Sequence, residues 1–90
     1  MKAIELCLEI ARLCKLGNEH QYAALFENYA AGLAEEKWDV MKRSIMNTFK
    51  GGMGSFNDLV LHVDGKPLFN ENDRLRALKS QLYDEIAAKW

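Results

Sequence analysis

Residues 50–68, Lys50-Gly-Gly-Met-Gly-Ser-Phe-Asn-Asp-Leu-Val-Leu-His-Val-Asp-Gly-Lys-Pro-Leu68, decide the fold. Three glycines in four positions break a helical apolar pattern, and the run Leu59-Val-Leu-His-Val that follows suits a pleated, half-buried surface. Val63-Asp64-Gly65-Lys66 is a two-residue hairpin signal of the type I′ kind, because Asp and Gly tolerate the positive φ this turn requires. The turn sets a register in which Val63 faces Lys66, His62 faces Pro67, Leu61 faces Leu68 and Val60 faces Phe69. The proline agrees with it. The pair beside such a turn exchanges hydrogen bonds and the next pair does not, so the N–H that Pro67 lacks would have pointed away from its partner. The second strand is therefore expected at an edge.

Upstream of this stretch the apolar spacing is helical. A helix is expected over about 35–50, with Trp38, Met41, Ile45 and Phe49 on one face, Asp39 and Arg43 set for an i,i+4 pair, and Gly51 and Gly52 as its stop. Before it, a helix over about 19–33 carries Tyr22, Leu25, Phe26, Tyr29 and Leu33, while Ala23, Ala30 and Gly32 admit a neighbour at close range. Asn18 and Gln21 have the spacing of a capping box for it. The first helix, over about 2–16, has Ile4, Cys7, Leu8, Ala11 and Cys14 as its stripe, widened by Leu6, Ile10 and Leu13, with Gly17 as a left-handed stop. Downstream of the hairpin, which spans about 59–69, Asn70 or Asn72 caps a helix over about 72–89. Its stripe is Leu75, Leu78, Leu82, Ile86 and Trp90, and Asp73 in the first turn complements the helix dipole. The expected fold class is α+β, mostly α: four helices with one β-hairpin between the third and fourth, in a single domain, 1–90.

Composition narrows the function. The 90 residues are 49% hydrophobic and 28% charged, with a formal net charge of −1. That balance lacks the basic field of a dedicated nucleic-acid binder. So small a chain has one core, and a large substrate cavity would consume it. Glu5, Glu9 and Arg12 interrupt the amino-terminal apolar stretch where a secretory leader needs an unbroken run, and no window is long and apolar enough to span a membrane. Cys7 and Cys14 lie seven apart, about 10 Å along a helix axis, too far for a disulfide to join them. They are expected as buried thiols of a cytoplasmic protein.

Chemistry finds little support. The run Gly51-Gly-Met-Gly-Ser55 invites a phosphate-loop reading, but it leaves a helix and enters a hairpin, whereas phosphate loops leave a strand and open a helix. No nucleophile elbow places Ser44, Ser55 or Ser80 beside His20 or His62, and no metal-ligand spacing occurs. No catalytic residue, metal or cofactor is expected. The basic sets Lys42, Arg43, Lys50 and Arg74, Arg76, Lys79 each have acids nearby and read as mixed solvated faces.

The hairpin is more informative. Its register sends Leu59, Leu61, Val63 and Leu68 to one side and Val60, His62, Pro67 and Phe69 to the other. A hairpin on a helical domain needs one buried face, so the second either inserts between helices one and four or presents an apolar patch beside an open edge. The candidate partner-binding residues are Val60, His62 and Phe69, with Asn57 and Asp58 at the entry to the first strand, and Phe69 is the expected aromatic anchor.

The string Gly51-Gly-Met-Gly-Ser-Phe-Asn-Asp-Leu-Val-Leu, with Asp64-Gly-Lys-Pro-Leu and the helix opening Asn72-Asp-Arg-Leu, resembles a family of small uncharacterised bacterial proteins, a domain of unknown function. The likeness covers roughly residues 40–85 and leaves the first two helices outside. Such proteins are similar in size and setting to immunity proteins of polymorphic toxin systems, which implies a protein partner and brings no catalytic residues. The expected function is a cytosolic, non-enzymatic immunity or antitoxin protein that neutralises a toxin domain by occlusion. The alternatives are a general helical interaction or homodimeric assembly module, and a nucleotide or phosphate binder using the glycine run.

Overall fold

The computed structural model describes residues 1–50, 56 and 59–89. Four helices, α1 (Lys2–Leu16), α2 (His20–Ala34), α3 (Trp38–Phe49) and α4 (Phe69–Lys89), are accompanied by a two-stranded antiparallel sheet that lies between α3 and α4 in chain order, β1 (His62–Val63) and β2 (Lys66–Pro67). This is the expected mostly helical α+β architecture. Helix α1 packs against both α2 and α4, and α3 lies against α2.

Helix α1 buries Ala3, Leu6, Cys7, Ile10, Ala11, Leu13 and Cys14. The stripe is rotated from the expected one, since Leu8 remains 49% exposed and Ile4 is only partly covered. Where α1 ends, the left-handed residue is Asn18 (φ 61), while Gly17 has φ −89. The Glu19 N–H donates to the Cys14 carbonyl (2.7 Å) and the Asn18 N–H to that of Lys15 (3.1 Å), which is a Schellman closure with asparagine at its left-handed position. Gly17 is there for space. A Cβ at Gly17 would lie 2.8 Å from Leu61 Cδ2 and 2.9 Å from Leu61 Cβ. The expected Asn18–Gln21 capping box is absent because an N-cap needs extended backbone, and Asn18 is committed to closing α1.

The end of α2 repeats the device. Glu36 holds φ 62, its N–H donates to Leu33 and that of Lys37 to Gly32. That left-handed residue delays α3 to Trp38, three residues later than the sequence suggests. Tyr29 ties α2 to α3 through its hydroxyl, 2.6 Å from Thr48 Oγ1 and 3.2 Å from the Ser44 carbonyl oxygen. Of the expected α3 stripe only Ile45 is fully buried; Trp38, Met41 and Phe49 are partly so, and among the described residues Asp39 and Arg43 do not pair with each other.

Asp64 (φ 53) and Gly65 (φ 77) form the expected turn, and His62 pairs with Pro67 and Val63 with Lys66 as the register requires. Beyond that point the structure departs from the expectation. Leu68 still donates to the Leu61 carbonyl (2.9 Å), but its own carbonyl is taken by the Asn72 N–H (2.8 Å) as the first bond of α4. Helix α4 thus starts at Phe69, and Val60 has no cross-strand partner there. The Leu61 N–H, deprived of Leu68, donates instead to Asn72 Oδ1 (2.7 Å), and Asn72 Nδ2 donates back to the Leu61 carbonyl (3.1 Å). Asn72 is therefore a clamp on the strand rather than a helix cap. Leu75, Leu78, Leu82 and Ile86 are buried as expected, and Trp90 lies outside the described residues.

Phe56 is the core residue the sequence conceals. Fully buried, its ring meets those of Phe26 (4.8 Å), Tyr22 (5.1 Å) and Phe49 (5.9 Å).

Candidate functional site

Strand alternation divides the hairpin cleanly. Leu61 is fully buried, and Leu59 and Leu68 pack against the core. The other face is open to solvent: Val60 is 47% and Phe69 76% exposed, with His62 and Pro67 exposed beside them. Helices one and four do not cover the hairpin on both sides. The second face was one of two alternatives in the sequence, and the exposed one is realised because α4 starts early enough to turn Phe69 away from the core.

An open groove of about 600 Å³ runs between this face and α4, lined by Leu59, Val60, Pro67, Phe69, Asn72, Asp73, Leu75, Arg76 and Lys79. Val60 and Phe69 of the expected site thus share one depression. His62 does not join them; its Nδ1 lies 2.9 Å from the Val60 carbonyl oxygen of its own strand. Asn57 and Asp58 lie outside the described residues, as does the glycine run 51–55.

The wall contributed by α4 was not anticipated as part of a site. Arg76 and Asp73 form an exposed pair at 3.1 Å. Lys79 is not a solvated surface cation: its ammonium donates to the Phe56 carbonyl (2.7 Å) and lies 4.4 Å from the Phe56 ring centroid. A smaller depression of about 290 Å³, lined by Phe49, Lys79, Ser80 and Tyr83, continues along α4 from Lys79. These positions become readable as one face only once the helix is known to begin at Phe69. The sequence could have shown it, since three- and four-residue steps from Phe69 reach Asp73, Arg76, Ser80 and Tyr83.

The groove lining is apolar at Leu59, Val60, Pro67, Phe69 and Leu75 and charged at Asp73, Arg76 and Lys79. The two thiols are buried on α1 and do not line this groove. Burial pushes the Cys7 thiol up to about 12 and the Cys14 thiol up to about 11, so neither supplies a thiolate near neutral pH. His20 and His62 are both exposed, on different elements. Among the described residues no cluster of His, Cys, Asp and Glu is arranged to hold a metal ion, and no helix is long and apolar enough to cross a membrane.

The family model described as "Domain of unknown function (DUF6966)" matches residues 15–68, and the chain belongs to this family. The match takes in α2, which the resemblance read from residues 40–85 had left outside, and ends one residue before Phe69. No curated protein and no solved structure matches the chain.

Proposed function

We propose that this chain is a small binding protein of the immunity or antitoxin kind, which acts in the cytoplasm by occluding a toxin domain and performs no chemistry of its own. The observation that carries the reading is Phe69. A phenylalanine 76% exposed at the mouth of a groove, beside Val60 and Pro67, contributes little to the core and offers an aromatic anchor to a partner. Asp73 and Arg76 supply the polar rim. Occlusion needs only such a patch, held on a rigid frame.

The test is capture from an extract of the native host with wild-type and Phe69→Ala chains, followed by titration of the purified captured protein. The expected result is a toxin domain whose activity falls as wild-type chain is added, and an affinity weakened about thirtyfold by Phe69→Ala, equivalent to about 2 kcal/mol. The unfolding free energy of that variant should change by less than about 1 kcal/mol, because the side chain is mostly solvated already. Undiminished affinity in a normally folded Phe69→Ala chain, or a captured protein with no toxic activity, would overturn the reading.

A further inference from the structure

Three residues at steps of four and three anchor α3: Met41, Ile45 and Thr48. Ile45 is the one fully buried side chain of the helix, and Thr48 Oγ1 lies 2.6 Å from the Tyr29 hydroxyl of α2. Met41 rests on Gly32, a buried residue in the last turn of α2. What the missing Cβ of Gly32 provides is space. A Cβ there would stand 2.8 Å from Met41 Cγ and 3.0 Å from Cε, with the sulfur closer still, so the thioether is seated on bare backbone.

The helix has a second methionine in a different setting. Met46 lines an open depression of about 430 Å³ together with Lys42, Arg43 and Asn47. An oxygen atom added to the Met46 sulfur has room and water around it, whereas on the Gly32 side of Met41 there is neither.

We infer that Met41 is a peroxide-sensitive latch holding α3 against α2. The oxidant is a hydroperoxide. Its terminal oxygen is taken by the sulfur lone pair, the O–O bond breaks as the S–O bond forms, and the proton on the transferred oxygen passes to the departing one. Sulfur loses two electrons and the peroxide gains them, leaving as water from hydrogen peroxide or as an alcohol from an organic hydroperoxide. Met41 is only half-buried, so the oxidant reaches it. The sulfoxide is larger by one atom and needs hydrogen-bond donors, yet it faces a helix whose N–H groups are spent on its own carbonyls. It leaves its seat for water, and α3, with Ile45 alone fully buried, follows. Phe49 rides on the same helix with its ring 5.9 Å from those of Phe56 and Tyr83, so release uncovers aromatic core. The latch shares no residue with the Phe69 groove and is independent of the toxin-binding reading.

The experiment treats purified wild-type, Met41→Leu and Met46→Leu chains with dilute hydrogen peroxide under native conditions. Peptide mass spectrometry locates the added oxygen, and hydrogen exchange follows the α3 amides. Leucine keeps the apolar volume and removes the oxidisable sulfur. In wild type and Met46→Leu, Met41 sulfoxide should form and α3 exchange should accelerate at least about tenfold, returning to its starting rate after treatment with methionine sulfoxide reductases. Met41→Leu should keep its slow exchange through the same treatment. Met41→Gln, which sets a polar group on Gly32 without any oxidant, should exchange at the faster rate from the outset. The inference is overturned by a Met41 left intact at peroxide concentrations that oxidise Met1 and Met46, or by a Met41 sulfoxide that leaves α3 exchange unchanged. A Met41→Leu chain loosened as much as wild type, or a Met41→Gln chain as protected as untreated wild type, overturns it equally.

Discussion

Gly17→Ala tests how the hairpin is seated. The backbone at Gly17 has φ −89, a conformation alanine adopts without strain. On backbone grounds alone the substitution should stabilise by about 0.4–1 kcal/mol, by restricting the unfolded chain. The packing predicts the opposite sign. The new methyl would stand 2.8, 2.9 and 3.3 Å from Cδ2, Cβ and Cγ of Leu61, where carbon atoms prefer about 3.5–4.0 Å. Rotating the side chain would move Cδ2 but not Cβ. Nor can the backbone retreat freely, since the Leu61 N–H is held by Asn72 and its carbonyl by both Asn72 and Leu68. Overpacking of this kind costs about 1–3 kcal/mol, and with Leu61 Cβ and backbone both held the cost falls in the upper half of that range, leaving a net loss of about 1–2 kcal/mol. For a chain of this length that is a fall in Tm of roughly 5–15 °C. Urea unfolding followed by circular dichroism measures it. An unfolding free energy equal to or above that of wild type would mean that Leu61 does not press on this turn.

Three further outcomes are expected. Glu36→Gly should raise stability by about 1 kcal/mol in the same urea assay, because it relieves a left-handed backbone (φ 62) that glycine adopts freely. Asn72→Ala leaves the Leu61 N–H without its acceptor beside a buried side chain, costing about 1–3 kcal/mol, and hydrogen exchange at the Leu61 amide should accelerate at least about tenfold. Stability should also fall at high pH. The buried thiols ionise at about 12 and about 11 in the folded state against 9.0 when free, so the unfolded chain loses their protons first. The stabilisation is complete below about pH 8 and declines through the window from about 9 to 11–12, with a loss on the order of 1 kcal/mol per thiol by pH 10. A Cys7→Ala, Cys14→Ala chain should show a shallower decline between pH 8 and 10.

What could be read from the sequence was what local chemistry decides. The Asp64-Gly65 turn, the position of Pro67 and the buried stripe of α4 follow from backbone preference and periodicity, and the structure has them where the sequence places them. The helix joints were misread for a tertiary reason. Gly17 looks like a left-handed stop, but its missing Cβ makes room for Leu61, a residue far away in sequence, and the left-handed backbone falls to Asn18 instead. Asn72 looked like a cap because asparagine often is one; its amide satisfies a strand whose partner has already turned into helix. Phe56 carries no periodicity, being a lone aromatic after a glycine run, so its place among Tyr22, Phe26 and Phe49 was invisible. At the candidate site, the exposed face of Val60 and Phe69 was legible as one of two options, while the α4 wall depended on a helix start shifted by three residues.

Leu61 closes two loops of very different length. Its bonds to Asn72 span eleven residues, whereas Gly17 lies forty-four residues earlier. Each doubling of a loop adds about 0.6 kcal/mol of closure entropy, so the short loop closes for about 1 kcal/mol less than the long one. The hairpin and the first turn of α4 therefore assemble as one local unit early in folding, and its seating on the α1–α2 turn comes late. On that order of events, crowding at Gly17 speeds unfolding and leaves the folding rate nearly untouched, while loss of the Asn72 amide slows folding itself.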